Sequence, residues 1–297
     1  MKCDLCPRKC LVDRKKGEKG ICGQTENLKV ARAALHFWEE PCISGDAGSG
    51  AVFFSGCPLH CVFCQNENIA NGTVGKEISL ERLVDIFLEL QEKGANNINL
   101  VTPGHFVPQI VKALDQAKKE GLTLPVVYNT SSYETVDTIK MLEGYVDIYL
   151  PDFKYMSPVL SKKYSHAPDY AEVAKAAIAE MVRQTGKAVF VNGDEDNLIL
   201  SGTIVRHLTL PGCMADSMQI LKYLHDTYGD KIYISIMNQF TPLSNLEKYP
   251  ELNRRITDEE YETLVDYAID IGIENGFIQE GDTAEESFIP AFDCEGV

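Results

Sequence analysis

Three cysteines at C-x3-C-x2-C spacing, Cys57, Cys61 and Cys64, are the residues of this chain with the clearest capacity for chemistry. They directly follow an apolar run at 51–56, and thiolates of this kind hold iron–sulfur clusters. A [4Fe–4S] cluster has four irons, so three protein ligands leave one iron open to a substrate or cofactor. The spacing therefore predicts a reactive cluster more than an electron store.

A second cysteine group, Cys3, Cys6, Cys10 and Cys22, stands near the N-terminus. Residues 1–25 are too few to bury a core, so a bound metal is expected to order them as a small metal-binding unit. Four thiols suit a structural zinc or iron ion, and a second iron–sulfur cluster is equally compatible with the spacing. Cys42, Cys213 and Cys294 have no partner at ligand spacing and are expected to be buried thiols.

The bulk composition limits the class of protein. The chain has 297 residues, of which 44% are hydrophobic, and this suits one large α/β domain. It contains no apolar run of about 18 residues, so we expect no membrane span. Because cysteines stand where a signal peptide would be apolar, we expect a cytoplasmic protein whose ten cysteines are ligands and thiols.

The charge of the chain is unevenly distributed. The net charge of −16 argues against a nucleic-acid substrate, because phosphate binding requires a basic surface. Residues 1–22 are the exception, with seven Lys or Arg against three Asp or Glu, if the thiols are counted as neutral. The sequence leaves open whether these lysines frame a metal loop or form a docking surface for an acidic partner.

The elements that must position these groups alternate from residue 51 onward. The expected strands are 51–56, 97–101, 126–130, 146–150, 203–210 and 232–236. The expected helices are 79–94, 107–120, 134–142, 170–184, 215–228 and 258–271, and a loop is expected at 152–167. Six βα units predict an α/β fold with a parallel sheet, open as a partial (βα)6 TIM-like barrel, because eight would close a full barrel.

The domain organisation follows from the same pattern. We expect a cysteine-rich metal-binding unit at 1–25, a linker at 26–50, the partial barrel at 51–276 and an acidic C-terminal tail at 277–297. Sites of parallel α/β sheets lie at the carboxyl ends of the strands. Each predicted strand ends in polar or Gly/Pro-rich sequence, so one cavity is expected there.

Two strand ends carry charged candidates. Asp152 and Lys154 are two residues apart on extended backbone, so both side chains are expected to point into the cavity. Arg206 lies among apolar residues within a strand, and burying an unpaired guanidinium is costly. We therefore expect Arg206 to pair with a carboxylate or a ligand, whereas His207 on the opposite face is expected to be structural.

Cys57, Cys61 and Cys64, with Phe63 before the last cysteine, resemble the signature of the radical S-adenosylmethionine (radical SAM) superfamily. The following Gln65-Asn66 and the later pattern resemble the branch related to pyruvate formate-lyase activating enzyme. The resemblance implies that the open iron binds SAM and that one electron cleaves it to methionine and a 5′-deoxyadenosyl radical, which abstracts hydrogen. It also implies a six-unit barrel and a reductant such as flavodoxin or ferredoxin.

The resemblance also implies roles for residues at the strand ends. Asp152 and Lys154 resemble an Asp-x-Lys element and Arg206 resembles a strand arginine, which makes these three the catalytic candidates. The residues expected to contact SAM are Phe63, Thr102, Gly104, His105, Asn129, Ser131, Asp152, Arg206 and Met237. The chain departs from the family in two places, because the Thr102–His105 turn has no acid and Asn129 stands where activating enzymes have Asp.

The sequence does not identify the substrate, which is a protein, a peptide or a small molecule. Activation of a glycyl-radical enzyme is one alternative that the resemblance implies. A non-catalytic iron–sulfur electron-transfer protein is another; it would explain both cysteine groups but not the polar strand ends. A zinc-ribbon nucleic-acid binder would depend on the basic N-terminus alone.

Overall fold

The computed structural model describes residues 2–194, 197–242, 246–279, 290 and 292–297. Its strands are Leu28–His36 (β1), Ser49–Phe54 (β2), Lys76–Ile78 (β3), Ile98–Val101 (β4), Val126–Thr130 (β5), Ile148–Pro151 (β6), Val189–Phe190 (β7), Ile199–Leu208 (β8), Tyr233–Met237 (β9) and Gly276–Ile278 (β10). Its α-helices are Pro41–Ser44 (α1), Glu67–Ala70 (α2), Leu80–Glu92 (α3), Val107–Lys119 (α4), Val136–Lys140 (α5), Pro158–Ser165 (α6), Tyr170–Thr185 (α7), Met214–Tyr228 (α8) and Asp258–Asp270 (α9).

The sheet confirms the predicted α/β architecture. Its strand order is β10-β9-β8-β6-β5-β4-β2-β1-β3, with β7 paired to β8 outside this path. The six predicted strands, β2, β4, β5, β6, β8 and β9, pair in parallel with one another. Their carboxyl ends therefore lie along one edge, where the sequence places its polar residues. In the described part of the chain no helix is long and apolar enough to cross a membrane.

The α3 helix illustrates how local sequence fixes an element. The Ser79 hydroxyl accepts a hydrogen bond from the backbone N–H of Arg82, which satisfies one of the unpaired donors of the first turn. Leu83, Phe87 and Leu90 recur on one face and are buried against the sheet side of the core. The central strands β4 and β5 are buried along their whole length, as strands covered on both faces must be.

The segment 26–50 is a correction to the predicted linker. It contains β1, which pairs antiparallel with both β2 and β3 and so extends the sheet. The alanine-rich β1 has weak strand signals of its own, and its place is decided by pairing with distant residues. The short helix α1 follows it. The loop expected at 152–167 likewise contains α6, which begins after the Ser157 cap and Pro158.

The described end of the tail packs along β1. The backbone N–H of Cys294 donates to the carbonyl of Ala31 at 3.1 Å, and that of Ala33 donates to Glu295 at 2.9 Å. Arg32 forms ion pairs with Asp293 and with Glu295. Other acidic residues expected in the tail, Glu280, Asp282, Glu285 and Glu286, lie outside the described residues. Cys42 is buried as expected, whereas Cys213 and Cys294 are partly exposed.

Candidate functional site

A cavity of about 360 Å³ lies at the carboxyl ends of the parallel strands. The three cysteines of the C-x3-C-x2-C loop line it. So do most of the predicted site residues, namely Phe63, Thr102, Asn129, Ser131, Asp152, Lys154, Arg206 and Met237. The structure thus brings together residues that are up to 180 positions apart in the sequence.

The loop that carries Cys57, Cys61 and Cys64, which we call the cluster loop, is held in an unusual backbone conformation. Gly56 has φ +92°, and a Cβ there would lie 2.5 Å from the carbonyl oxygen of Cys22. His60 has φ +49°, a left-handed value that is costly for a non-glycine residue. Phe63 is buried and packs edge-on against Phe240, with ring centroids 5.9 Å apart.

The cysteines of the cluster loop are suited to a multi-iron cluster. Burial, and after it the neighbouring Cys61, raises the pKa of Cys57 to about 11 and that of Cys64 to about 12. Metal binding would displace these protons, as it does at thiolate sites generally. No three His, Cys, Asp or Glu side chains among the described residues are arranged to hold a single ion. Thiolates that each bind a different iron do not need to converge in that way.

A network of buried charges forms the cavity wall opposite the thiols. The Arg206 Nε–H donates to Asp152 at 3.0 Å, its Nη1–H donates to Glu39 at 3.0 Å, and its Nη2–H donates to Asn129 at 2.6 Å. Lys154 donates to the other carboxylate oxygen of Asp152 at 2.7 Å. The predicted pairing of Arg206 with a carboxylate is therefore present, and protein acceptors occupy all three of its nitrogens.

The charges of this network stabilise one another. Burial alone would raise the pKa of Asp152, but Lys154 and Arg206 outweigh it and lower that pKa. Burial alone would lower the pKa of Lys154, but Asp152 and then Cys61 outweigh it and raise that pKa. Asp152 therefore carries a negative charge, and Lys154 presents a positive charge toward the cluster loop. The ammonium has further donors available for an anionic ligand in the cavity.

Glu39 and Glu40 are site residues that sequence reasoning missed. They follow β1 and line the cavity, and Glu39 also accepts hydrogen bonds from Asn99 at 3.0 Å and Asn129 at 3.1 Å. Burial raises the pKa of Glu40 despite the nearby Arg206. The signal that could have found them is the buried arginine, whose charge demands carboxylate partners from somewhere in the chain.

His105 and Gly104 do not line the main cavity. His105 is buried, and its Nε2–H donates to the carbonyl of Ser55 at 2.7 Å. Its own carbonyl accepts a hydrogen bond from Arg14 at 2.5 Å. Burial lowers the pKa of His105 to about 3, so the ring is neutral. In the structure His105 ties β2, the Thr102 turn and the N-terminal unit together.

An acid that sequence reasoning did not assign lies beneath the Thr102–His105 turn. Glu134 is buried, and a Cβ on Gly104 would lie 2.5 Å from both of its carboxylate oxygens. Its Oε1 accepts hydrogen bonds from Tyr128 at 3.0 Å and Thr130 at 2.7 Å, and burial raises its pKa to about 7. It borders a void of about 10 Å³ together with Cys6. The turn itself has no acid, as the sequence shows, but a carboxyl group lies directly under it.

The N-terminal unit is docked against this region. Arg8 donates to the carbonyls of Pro58 at 2.9 Å, His166 at 2.6 Å and Ser165 at 3.0 Å. Its guanidinium also lies 5.1 Å from the centroid of the Tyr133 ring. The N-terminal cysteines are thus placed beside the cluster loop, outside the main cavity.

Comparison with known proteins identifies this architecture. The model of the radical SAM superfamily matches residues 51–197, which include the cluster loop. The chain carries a radical SAM domain. An uncharacterized protein of Methanocaldococcus jannaschii is 27% identical over 273 residues, which are 90% of this chain and 74% of the relative.

Solved structures share the fold of this chain. SuiB of Streptococcus suis, solved with S-adenosylmethionine bound, is 12% identical over 76% of this chain and 48% of SuiB, with a TM-score of 0.52. Methylornithine synthase (PylB) is 14% identical over 80% of this chain and 66% of PylB, also with a TM-score of 0.52. The chain spans about half the length of SuiB. The predicted superfamily is confirmed, while the narrower resemblance to activating enzymes depends on sequence motifs alone.

Proposed function

We propose that this radical SAM protein is an enzyme that generates a 5′-deoxyadenosyl radical and abstracts hydrogen from a protein, peptide or small-molecule substrate. The observation that carries the proposal is the shared cavity, in which three thiols of the cluster loop face Lys154 and the Asp152–Arg206 network. A [4Fe–4S] cluster held by Cys57, Cys61 and Cys64 would supply the electron that cleaves SAM. The SAM-bound state of SuiB, which shares the fold, supports this assignment.

The cavity residues have separate roles in the proposal. Lys154 binds the carboxylate of SAM, because its ammonium is buried beside the cluster loop and makes one hydrogen bond, to Asp152, within the described residues. Asp152 and Arg206 act as positioning residues, since their hydrogen bonds hold the Lys154 side chain and the β6 and β8 strand ends together. Phe63 and Met237 provide apolar surface for the rest of the cofactor.

The backbone around Lys154 supports the same positioning. The Tyr170 hydroxyl accepts a hydrogen bond from the Lys154 N–H at 3.0 Å and lies 2.9 Å from the carbonyls of Ser131 and Asp152. One buried side chain therefore fixes the ends of β5 and β6 relative to each other. A water-excluding wall of this kind strengthens the charge interactions within the cavity.

The test is anaerobic reconstitution with iron and sulfide, followed by addition of SAM and dithionite. We expect 5′-deoxyadenosine and methionine to form in equal amounts, and deuterium from the true substrate to enter 5′-deoxyadenosine. The Lys154→Met variant should raise the Kd for SAM while it retains cluster iron, and Cys213→Ala serves as the matched control. Absence of 5′-deoxyadenosine from a fully loaded protein would refute the proposal.

A further inference from the structure

The N-terminal unit gathers its cysteines at one end of a small hairpin. The Cys3 N–H donates to the Val12 carbonyl, and the Leu11 N–H donates to the Cys3 carbonyl, both at 2.9 Å. These two hydrogen bonds place Cys3 beside Cys10. The Ile21 N–H donates to the Cys10 Sγ at 3.3 Å, which brings the following Cys22 alongside. Cys6 lies at the turn of this hairpin, where its carbonyl accepts a hydrogen bond from the Lys9 N–H at 3.0 Å.

The backbone hydrogen bonds of the hairpin and the contact between Ile21 and Cys10 together place these cysteines in one set of four.

We propose that Cys3, Cys6, Cys10 and Cys22 hold a second iron–sulfur cluster and pass electrons to the cluster loop. Four thiolates are the ordinary ligand set of a [4Fe–4S] cluster, and zinc, which has no redox chemistry, could not use the contact with the cluster loop described below.

The N-terminal unit contacts the cluster loop directly. The His60 Nε2–H, within the cluster loop, donates to the carbonyl of Ile21 at 2.7 Å. A path from Cys22 to Cys61 therefore runs through covalent bonds and this one hydrogen bond, because Ile21 precedes Cys22 and His60 precedes Cys61. The left-handed backbone of His60 is held by this contact and by Asn71, whose Oδ1 lies 3.1 Å from the Nδ1 of the ring.

The outer surface of the N-terminal unit suits an acidic electron carrier. Leu11 is 52% exposed and Ile21 is 49% exposed. Around them the exposed side chains of the unit include Lys9, Lys15, Lys16 and Lys19. The rest of the chain is strongly acidic, so a carrier of the ferredoxin or flavodoxin class is repelled elsewhere and guided to this face.

The relay balances without further reactants. The acidic carrier loses one electron, the N-terminal cluster gains and then releases it, and no bond forms or breaks in the protein. The acceptor is the cluster of the proposed function, so the relay depends on that proposal. The identity of the N-terminal metal does not depend on it.

The first experiment therefore measures metal content. The full-length protein with Cys57, Cys61 and Cys64 replaced by alanine is reconstituted anaerobically, and iron, zinc and sulfide are counted. We expect about four irons and about four sulfides per chain, with an electron paramagnetic resonance signal after reduction. Wild type should hold about twice that amount, which keeps the test valid if the variant folds poorly. One zinc or one iron without sulfide, or no metal, would overturn the proposal.

The second experiment tests the relay. Stopped-flow spectroscopy follows reduction of wild type and of the Cys6→Ser/Cys22→Ser variant by a reduced acidic ferredoxin, and by dithionite. We expect the variant to be reduced by ferredoxin roughly tenfold or more slowly, but at a normal rate by dithionite. Equal rates with ferredoxin would overturn the relay. Failure of wild type to form 5′-deoxyadenosine with dithionite would refute the proposed function instead.

A charge-reversal variant tests the docking surface. Lys15→Glu/Lys16→Glu should slow reduction by ferredoxin at low salt, with a difference that shrinks as salt screens the charges. Lys112→Glu/Lys118→Glu, on α4, is the matched control because it changes the net charge equally at a different surface. A similar slowing in the control would contradict a specific docking site.

Discussion

The two cysteine groups of this protein have nearly the same chemistry but opposite surroundings. Cys57, Cys61 and Cys64 line a cavity whose opposite wall is a network of buried charges. The N-terminal cysteines stand in a basic unit that is too small to have a core of its own and that is attached to the outside of the barrel by residues such as Arg8.

Under the two proposals, position in the fold assigns the task of each group. A cluster held by Cys57, Cys61 and Cys64 at the carboxyl ends of the parallel strands would leave one iron facing the cavity beside Lys154. A cluster held by the four N-terminal cysteines would have no open iron, which suits electron entry more than substrate chemistry. The sequence presents both groups as cysteine motifs, and only their surroundings separate them.

The strongest way to test this contrast is to remove one thiol from the cavity group. In Cys61→Ala we expect production of 5′-deoxyadenosine to fall by about 10⁴-fold or more, which corresponds to roughly 5.4 kcal/mol. The physical reason is that a [4Fe–4S] cluster held by only two thiolates has two irons without protein ligands and is poorly retained. The measurement is chromatographic detection of 5′-deoxyadenosine with dithionite as reductant.

Cys213→Ala is the control, since Cys213 lies outside the cavity wall. Its product formation should stay within about twofold of wild type, because an isolated thiol behaves as a small apolar side chain. If Cys61→Ala retained activity, the contrast between the two groups would be wrong.

Removing the arginine from the charged wall of the cavity should lower the stability of the folded protein. Arg206→Ala leaves Asp152 and Glu39 buried without their shared cation, and their side chains are only 20% and 9% exposed. Removing one partner of such a network costs about 3–5 kcal/mol. Urea unfolding of the metal-free protein should show this as a lower midpoint with an unchanged slope.

A variant that removes Arg206 and one of its carboxylate partners together distinguishes the loss of charge pairing from the loss of side-chain packing. Arg206→Met combined with Glu39→Gln should recover a large part of the loss, because fewer charges then lie unpaired in the interior. Equal instability of the double and single variants would show that packing, and not charge, dominates this wall.

The sequence predicted part of the cavity lining and missed another part for physical reasons. The cluster loop, Asp152 and Arg206 could be found because each is local to a predicted strand end. Glu39 could not, because its role arises from β1 pairing with β2, a contact that residue patterns within 26–50 do not specify. Glu134 was missed similarly, since only the fold places it under Gly104.

Loosening the attachment of the N-terminal unit should have a moderate effect. Arg8→Ala removes three hydrogen bonds to backbone carbonyls and a contact with the Tyr133 ring, together worth about 2–3 kcal/mol. We expect trypsin to cleave at Lys15 or Lys16 roughly 30- to 160-fold faster, because local opening exposes the unit. Cleavage within α4 should not change, and a similar increase there would indicate global destabilisation instead.

The smallest effect concerns His207, which belongs to the barrel and has no counterpart in the N-terminal unit. Burial lowers its pKa from 6.5 to about 4, and the neutral ring is hydrogen-bonded to the Phe153 carbonyl and the Ser217 hydroxyl, both at 2.8 Å. Between pH 6.5 and pH 4 the unfolded chain therefore binds a proton at His207, whereas the folded chain does not. This contribution to stability is complete above pH 6.5 and falls as the pH decreases toward 4.

Between pH 6.5 and pH 5 the loss from His207 should be about 2 kcal/mol. The measurement is urea unfolding of the metal-free protein at both pH values, compared with His207→Gln. The variant should be less stable at neutral pH but should lose about 2 kcal/mol less on acidification, because glutamine does not titrate. His105 and Glu134 titrate in both proteins and cancel in the difference. An identical pH dependence in the two proteins would mean that protonation of His207 is accommodated in the folded barrel, which its two buried partners argue against.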